Sequence, residues 1–353
     1  MLKDLVVIEL AGVLAGPDVG MFFSELGAKV IKVENKQTSG DVTRTWKLPT
    51  ENKTSSVSAY FSSVNWNKKY LQLNLKQEVE QKKIHELVKK ADVVIANFKK
   101  GDDIKLQMDY KTLKKINPKL IYGAITGFGS NSERVAFDVV LQAETGFMSM
   151  NGTKKSGALK MPVALIDVLA AHQLKQGLLL ALLKREKQQK GSFVEVSLYD
   201  AAISALKNQA SNWLMNNYIP ETIGSLHPNI APYGEVFTTK DNKQIVLAIG
   251  SDNQFFKLLD LFDATQIKSS KKYQTNPLRV NNRKSLTQKL IPFFQQYNRK
   301  PLMDLLIKNN IPAGAIKNLK EVFEDTAAQN LINEETIDGV KTKRVKTVVF
   351  KIS

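Results

Sequence analysis

Residues 4–34, "DLVVIELAGVLAGPDVGMFFSELGAKVIKVE", decide the fold. "DLVVIEL" runs through Val and Ile without strict alternation, as expected of a strand covered on both faces. "AGVLAGP" is a loop, and its Pro17 is well placed to open a helix. "DVGMFFSELGA" is helical, with Gly27 as its stop. "KVIKVE" is the next strand.

The same alternation continues outward from this stretch. "YLQLNL" (70–75), "DVVIANF" (92–98) and "KLIYGAITGFG" (119–129) read as strands. Between them stand the helical patterns "EVEQKKIHELVKKA" (78–91) and "YKTLKKIN" (110–117). The expected architecture is α/β, a doubly wound, mostly parallel Rossmann-like sheet. From about 136 to 210 the pattern is helical, and "FVEVSL" (193–198) forms a short strand. Residues 233–250, "YGEVFTTKDNKQIVLAIG", are two strands around an Asp241-Asn242 turn, and helical patterns follow. The predicted domains are a large α/β domain over 1–220, a smaller α+β domain over 221–325, and a C-terminal segment over 326–353. The tail ends in a strand-like "VKTVVF" (345–350).

Composition narrows the function classes. Hydrophobic residues make up 43% of 353 residues and charged residues 24%, which suits a globular chain with a sizeable core. The sequence has no cysteine, which excludes disulfides, thiol catalysis and thiolate metal sites. No run of about 18 consecutive apolar residues is present, and "MLKDLVVIEL" lacks the layout of a signal peptide, so no membrane partner and a cytoplasmic location are expected. Net charge is +17, from 51 Lys and Arg against 34 Asp and Glu. That surplus fits an anionic partner, or a lysine-rich composition that decorates every surface. The basic residues are scattered, with no Arg-rich stripe or nucleic-acid motif, so no nucleic acid is expected.

Two places carry candidate chemistry. The loop "LAGVLAGPDVG" (10–20) lies where an open α/β sheet binds ligands, beyond a strand's carboxyl end. It holds Gly12, Gly16 and Gly20 but is neither G-x-G-x-x-G nor a Walker loop. The second is Asp167, in the helical stretch "PVALIDVLAAHQLKQGLLLALLKRE" (162–186). Read from the residues alone it is a helix cap or a working carboxylate.

Four stretches together resemble the family III CoA-transferases, the group of the formyl-CoA and carnitine CoA-transferases and α-methylacyl-CoA racemase. They are residues 5–34, "ADVVIANFKKGDDIKLQMDYKTLKKINPKLIYGAITGFG" (91–129), "VALIDVLAAHQLKQGLLLALLKREKQQKGSFVEVSLYDAA" (163–202) and "APYGEVFTTKDNKQIVLAIGSDNQFFKLL" (231–259). Order and spacing are kept over nearly the whole chain. The resemblance implies an enzyme that moves CoA from an acyl-CoA to a small carboxylic acid, with no metal; the alternatives are an acyl-CoA racemase and a catalytically inactive CoA-binding homologue. It makes Asp167 the catalytic nucleophile. Asp138 matches an acidic position near it, and its other reading is a plain helix-start residue. Cofactor-binding positions carried over are Val13 and Ala15, Leu73 and Lys76, Asn97 and Phe98, and Lys105, which replaces a frequent arginine. Asn35 stands where some members have a basic residue. The racemase branch has a histidine before the acidic residue; here it is Phe137, which cannot transfer a proton. Trp46, Tyr60 and Trp66 are candidates for the acyl pocket, or else for the core or an interface. The resemblance also implies an interlocked homodimer whose large domain uses both chain ends.

Overall fold

The computed structural model describes residues 2–353, which form two compact units. The larger contains the chain up to Gly152, Ser156–Thr222 and Gln329–Ser353. The smaller contains Thr153–Lys155 and Ile223–Ala328.

In the larger unit β1 (Val6–Leu10), α1 (Ala15–Glu25), β2 (Lys29–Asn35), α2 (Ala59–Ser63), β3 (Lys68–Leu73), α3 (Glu78–Val88) and β4 (Val93–Ala96) follow one another. Then come α4 (Tyr110–Ile116), β5 (Ile121–Thr126), α5 (Asp138–Glu144), α6 (Leu165–Gln188), β6 (Ser192–Ser197), α7 (Leu198–Ala205) and α8 (Lys207–Asn216). The six strands form one parallel sheet in the order β3-β2-β1-β4-β5-β6. Adjacent residues alternate between its faces: Val7 and Val93 pack with α1, α6 and α7, while Ile8 and Val94 pack with α3 and α4. Both faces are buried, which is why the strands read as continuous apolar runs.

α6 is the long helix of the core. An 18-residue window in it has mean hydropathy 1.3, so by length and composition it is apolar enough to cross a membrane. Counting consecutive apolar residues missed this, because polar residues, Asp167 and Lys175 among them, interrupt the run. Both are buried, and Ile166, Ala170, Leu174 and Leu178 pack into the sheet's core. Lys175 donates to Asp18 of α1 at 2.6 Å, so burial of its ammonium is compensated.

The smaller unit is an antiparallel sheet of β7 (Tyr233–Thr238), β8 (Gln244–Ala248) and β9 (Ala313–Ala315) with β8 central. Its core is closed by α9 (Asp252–Leu261), α10 (Arg283–Phe294) and α11 (Arg299–Lys308).

The tail departs from expectation. The strand is β11 (Val340–Val345), which pairs with β10 (Ile332–Ile337) in a hairpin closed by Asp338-Gly339. Both turn residues have positive φ, 47° and 80°, as a two-residue hairpin turn of this hand requires. Residues 346–350 are irregular instead of a strand. They are held on α1: the Glu25 carboxylate accepts from the N–H groups of Thr347 and Val348, and Thr347 Oγ1 donates to Asp18 at 2.7 Å. Side-chain acceptors on α1 replace the ladder a sheet would have supplied.

Candidate active site

The strand order reverses between β1 and β4, and beside that point a cleft of about 290 Å³ opens beyond the carboxyl ends of β1, β2 and β3, with Phe98 after β4 on its wall, as expected for an open α/β sheet. Leu10, Val13, Leu73, Leu75, Phe98 and Leu106 give it apolar walls. Asn35, Gln37 and Lys76 line it as well. The loop after β1 is fixed from two sides. Asn97, beyond β4, accepts from Gly12 N at 3.1 Å and donates to Gly12 O at 2.9 Å. Asp41 accepts from Val13 N at 3.2 Å. Val13 has φ 72°, a left-handed conformation that a β-branched residue adopts only when its surroundings impose it.

Asp41 belongs to a buried charge network beneath the loop. Lys32 Nζ lies 2.9 Å from Glu9, 3.1 Å from Asp41 and 2.8 Å from the Ala11 carbonyl. Burial works against the Lys32 charge, but Glu9 and Asp41 together raise its pKa above the ordinary lysine value. Burial likewise opposes ionisation of Asp41, and Lys32 with the Thr43 N–H and hydroxyl outweighs it, lowering its pKa. Lys68 Nζ takes the other Glu9 oxygen at 2.7 Å and donates to the Pro17 and Val64 carbonyls and Asn65 Oδ1. Burial brings Lys68 down to about 8 despite Glu9. Gly20 of α1 passes directly over this carboxylate: a Cβ there would stand 1.8 Å from Glu9 Oε2.

Asp167 is placed differently. α6 begins at Leu165 after the N-cap Ala164, so Asp167 is the third helical residue and not the cap. The N–H of Ile166, its neighbour, is satisfied by Asp138 Oδ1 at 2.7 Å. Asp138 is therefore the residue with a capping role, across from α5. Asp167 is 9% exposed, and its carboxylate has no hydrogen-bond donor or ion-pair partner among the described residues. Burial first, and then the like charge of Asp138, push it up to about 7. Tyr60 of α2 senses Asp167, Asp138 and Asp41 together. Burial and these carboxylates push its hydroxyl up to about 12, so it stays a neutral phenol. Its ring meets Trp46 edge-on, with centroids 5.0 Å apart.

The residues singled out in the sequence thus fall into groups. Val13, Leu73, Lys76 and Phe98 meet at the cleft, as does Asn35. Asn97 holds the loop through its amide instead of lining the cleft. Ala15 is buried at the start of α1, away from the lining. The Lys105 side chain is 77% exposed and pairs with Asp102 at 3.2 Å; its neighbour Leu106 is the one on the cleft wall. Asp138 and Asp167 come together at the head of α6. Among the histidines, His172 is exposed and His85 contacts the Gln107 carbonyl at 3.0 Å. Sequence reasoning passed over Glu9, Lys32, Lys68 and Asp41. The strand pattern hides the first three, since a paired charge inside an apolar run looks like an edge residue. Asp41 carried a local signal, Asp-x-Thr, the spacing of the Asx turn it forms with Thr43.

Comparison with known proteins bears on the chain as a whole. The profile described as CoA-transferase family III matches residues 2–353. A succinate–glutarate CoA-transferase of Agrobacterium fabrum is 34% identical, over 99% of this chain and 89% of its own length. A human succinyl-CoA:glutarate CoA-transferase is 33% identical, over 92% of this chain and 73% of its own length. Among solved structures, a CAIB/BAIF family protein from Brucella suis superposes with a TM-score of 0.88 at 35% identity, covering 99% of this chain and 92% of that one.

Proposed function

We propose that this chain, an enzyme that belongs to CoA-transferase family III and transfers CoA, does so through covalent intermediates on Asp167. An Asp167 oxygen attacks the thioester carbonyl of the donor, the C–S bond breaks, and a mixed anhydride and the CoA thiolate result. The thiolate attacks the aspartyl carbonyl, which releases the donor acid and leaves a thioester on Asp167. The acceptor carboxylate attacks that same carbonyl and the thiolate departs. The thiolate then takes the acceptor acyl group and Asp167 is restored. Every bond broken is matched by one of similar energy, so no nucleoside triphosphate is consumed.

The observation that carries this reading is the buried Asp167 carboxylate, raised to about 7 with no donor upon it. A carboxylate whose lone pairs are committed to no donor is a stronger nucleophile than a salt-bridged one. The cleft beyond β1, β2 and β3 suits the nucleotide end of CoA, with apolar walls and Lys76 at its margin. Phe137 in place of a proton-transferring side chain favours transfer over racemisation. The two glutarate-using relatives point to dicarboxylates as substrates. The test is CoA exchange between succinyl-CoA and glutarate, scored by chromatography of both thioesters. The reading expects wild-type exchange that Asp167→Ala abolishes; undiminished exchange by Asp167→Ala would refute it.

The enzyme is further proposed to work as a homodimer. Leu180 and Leu183 of α6 and Leu214 and Met215 of α8 are exposed by 63% to 79%, apolar side chains that a second copy would cover. Sedimentation velocity at micromolar protein would show one species of twice the chain mass, and a monomer would contradict it.

A further inference from the structure

We propose that Gln142 is a positioning residue for Asp167, acting through Asp138. It rests on the reading of Asp167 given above and adds a residue that neither motif nor resemblance marks. Gln142 lies one turn along α5 from Asp138 and is 0% exposed. Its amide joins α5 to the segment that leads into α6. Nε2 donates to Asp138 Oδ2 at 2.6 Å and lies 3.4 Å and 3.5 Å from the carbonyls of Met161 and Val163. Oε1 accepts from Met161 N at 2.7 Å. Met161 and Val163 belong to the exposed segment that leads into α6, so the buried amide is what fixes that segment's approach. Asp138 has its other oxygen on Ile166 N at 2.7 Å. The chain of contacts is therefore Gln142 to Asp138 to the first turn of α6, where the next side chain is Asp167.

The arrangement has one consequence for chemistry. With both oxygens held, the Asp138 carboxylate cannot turn away to solvent and keeps its charge beside Asp167. The groups that face Asp167 are Asp138 from α5 and the neutral Tyr60 from α2. A held Asp138 is thus the charged neighbour that sets how readily Asp167 takes a proton, after burial itself. An apolar side chain at position 142 would fill the space but leave Asp138 Oδ2 and Met161 N without their partner.

The test uses full-length protein labelled with 13C at the aspartate carboxyls, with the Asp167 resonance assigned by its loss in Asp167→Asn. Wild type is expected to titrate near 7. Gln142→Met frees Asp138 to swing outward, so the Asp167 midpoint falls by about half a pH unit or more. Asp138→Asn lowers it too, and the double variant adds nothing further, since both act through one group. The acid limb of kcat moves the same way, while KM for the acyl-CoA donor stays within about threefold. Gln142→Asn, which keeps the amide one methylene short, falls between. A folded Gln142→Met or Gln142→Asn with the wild-type Asp167 titration overturns the proposal; the second variant decides if the first does not fold. A lowered midpoint in a protein that exchanges no CoA would support Gln142 and refute the transfer reading.

Discussion

Two carboxylate sites in the larger unit are buried to a similar degree and treated in opposite ways. Beneath the β1 loop, Glu9 and Asp41 lie 0% and 9% exposed, and lysines at 2.7–3.1 Å compensate both. At the head of α6, Asp167 is also 9% exposed, but its charged neighbour is another carboxylate. Burying a charge costs several kcal/mol unless it is paired. The first site meets that cost and gains a fixed loop. The second leaves it unmet, and the result is a carboxylate raised to about 7. Paired charge holds geometry, while unpaired charge is available for chemistry.

The comparison breaks most sharply at Asp167. Asp167→Ala is expected to lower CoA exchange by roughly 10³-fold or more, because the neighbouring Asp138 has its oxygens committed to Gln142 and the Ile166 N–H. Asp167→Asn should be equally inactive yet more stable. The sign follows from linkage. A pKa raised from 3.8 to about 7 means the folded state holds a proton that the unfolded chain releases, so wild type loses stability as pH rises through that window. The asparagine variant escapes this, with a gain on the order of a few kcal/mol at pH 7 and above that vanishes below about pH 4. Urea unfolding at pH 4 and pH 8 measures it. A variant whose stability relative to wild type is the same at both pH values would mean that Asp167 is not a strained charge.

Removing a paired charge should have the opposite effect. Lys32→Met leaves Glu9 and Asp41 facing one another and is expected to cost about 3–5 kcal/mol by urea unfolding at pH 7. A loss under 1 kcal/mol would erase the contrast between the sites. Asn97→Ala deletes both bonds to Gly12 and should raise KM for the acyl-CoA about tenfold, with kcat changed less, since the loop and not the nucleophile is disturbed. Lys105→Ala should alter KM less than twofold, because an exposed lysine already paired with Asp102 contributes little. A large effect there would mean the exposed side chain reaches the phosphates after all.

The parallel sheet was legible in the sequence because burial on both faces leaves unbroken Val and Ile runs, as in β1, β4 and β5. The tail was not. "VKTVVF" has the composition of a strand, but Glu25 and Asp18 of α1 take its backbone and hydroxyl bonds, and no local pattern announces an acceptor some 320 residues earlier. Asp167 could be located by resemblance, though its local pattern suggested a cap. The capping carboxylate is Asp138, 28 residues upstream of the Ile166 N–H it accepts from, a pairing set by packing of α5 on α6. Gln142 had no sequence signal, since a buried glutamine in an amphipathic turn looks like a surface residue. The glycines were visible as loop formers, but the need for Gly20 appears only once Glu9 is seen beneath it.

The most direct test of the central claim is intact-protein mass spectrometry after incubation with succinyl-, acetyl- and formyl-CoA, with hydroxylamine trapping in parallel and Asp167→Ala as control. The account predicts a CoA-sized mass increase on wild type and a hydroxamate mapped to Asp167, both absent from the variant. Exchange of CoA with no adduct and no trapped aspartate, or an adduct that persists in Asp167→Ala, would contradict it.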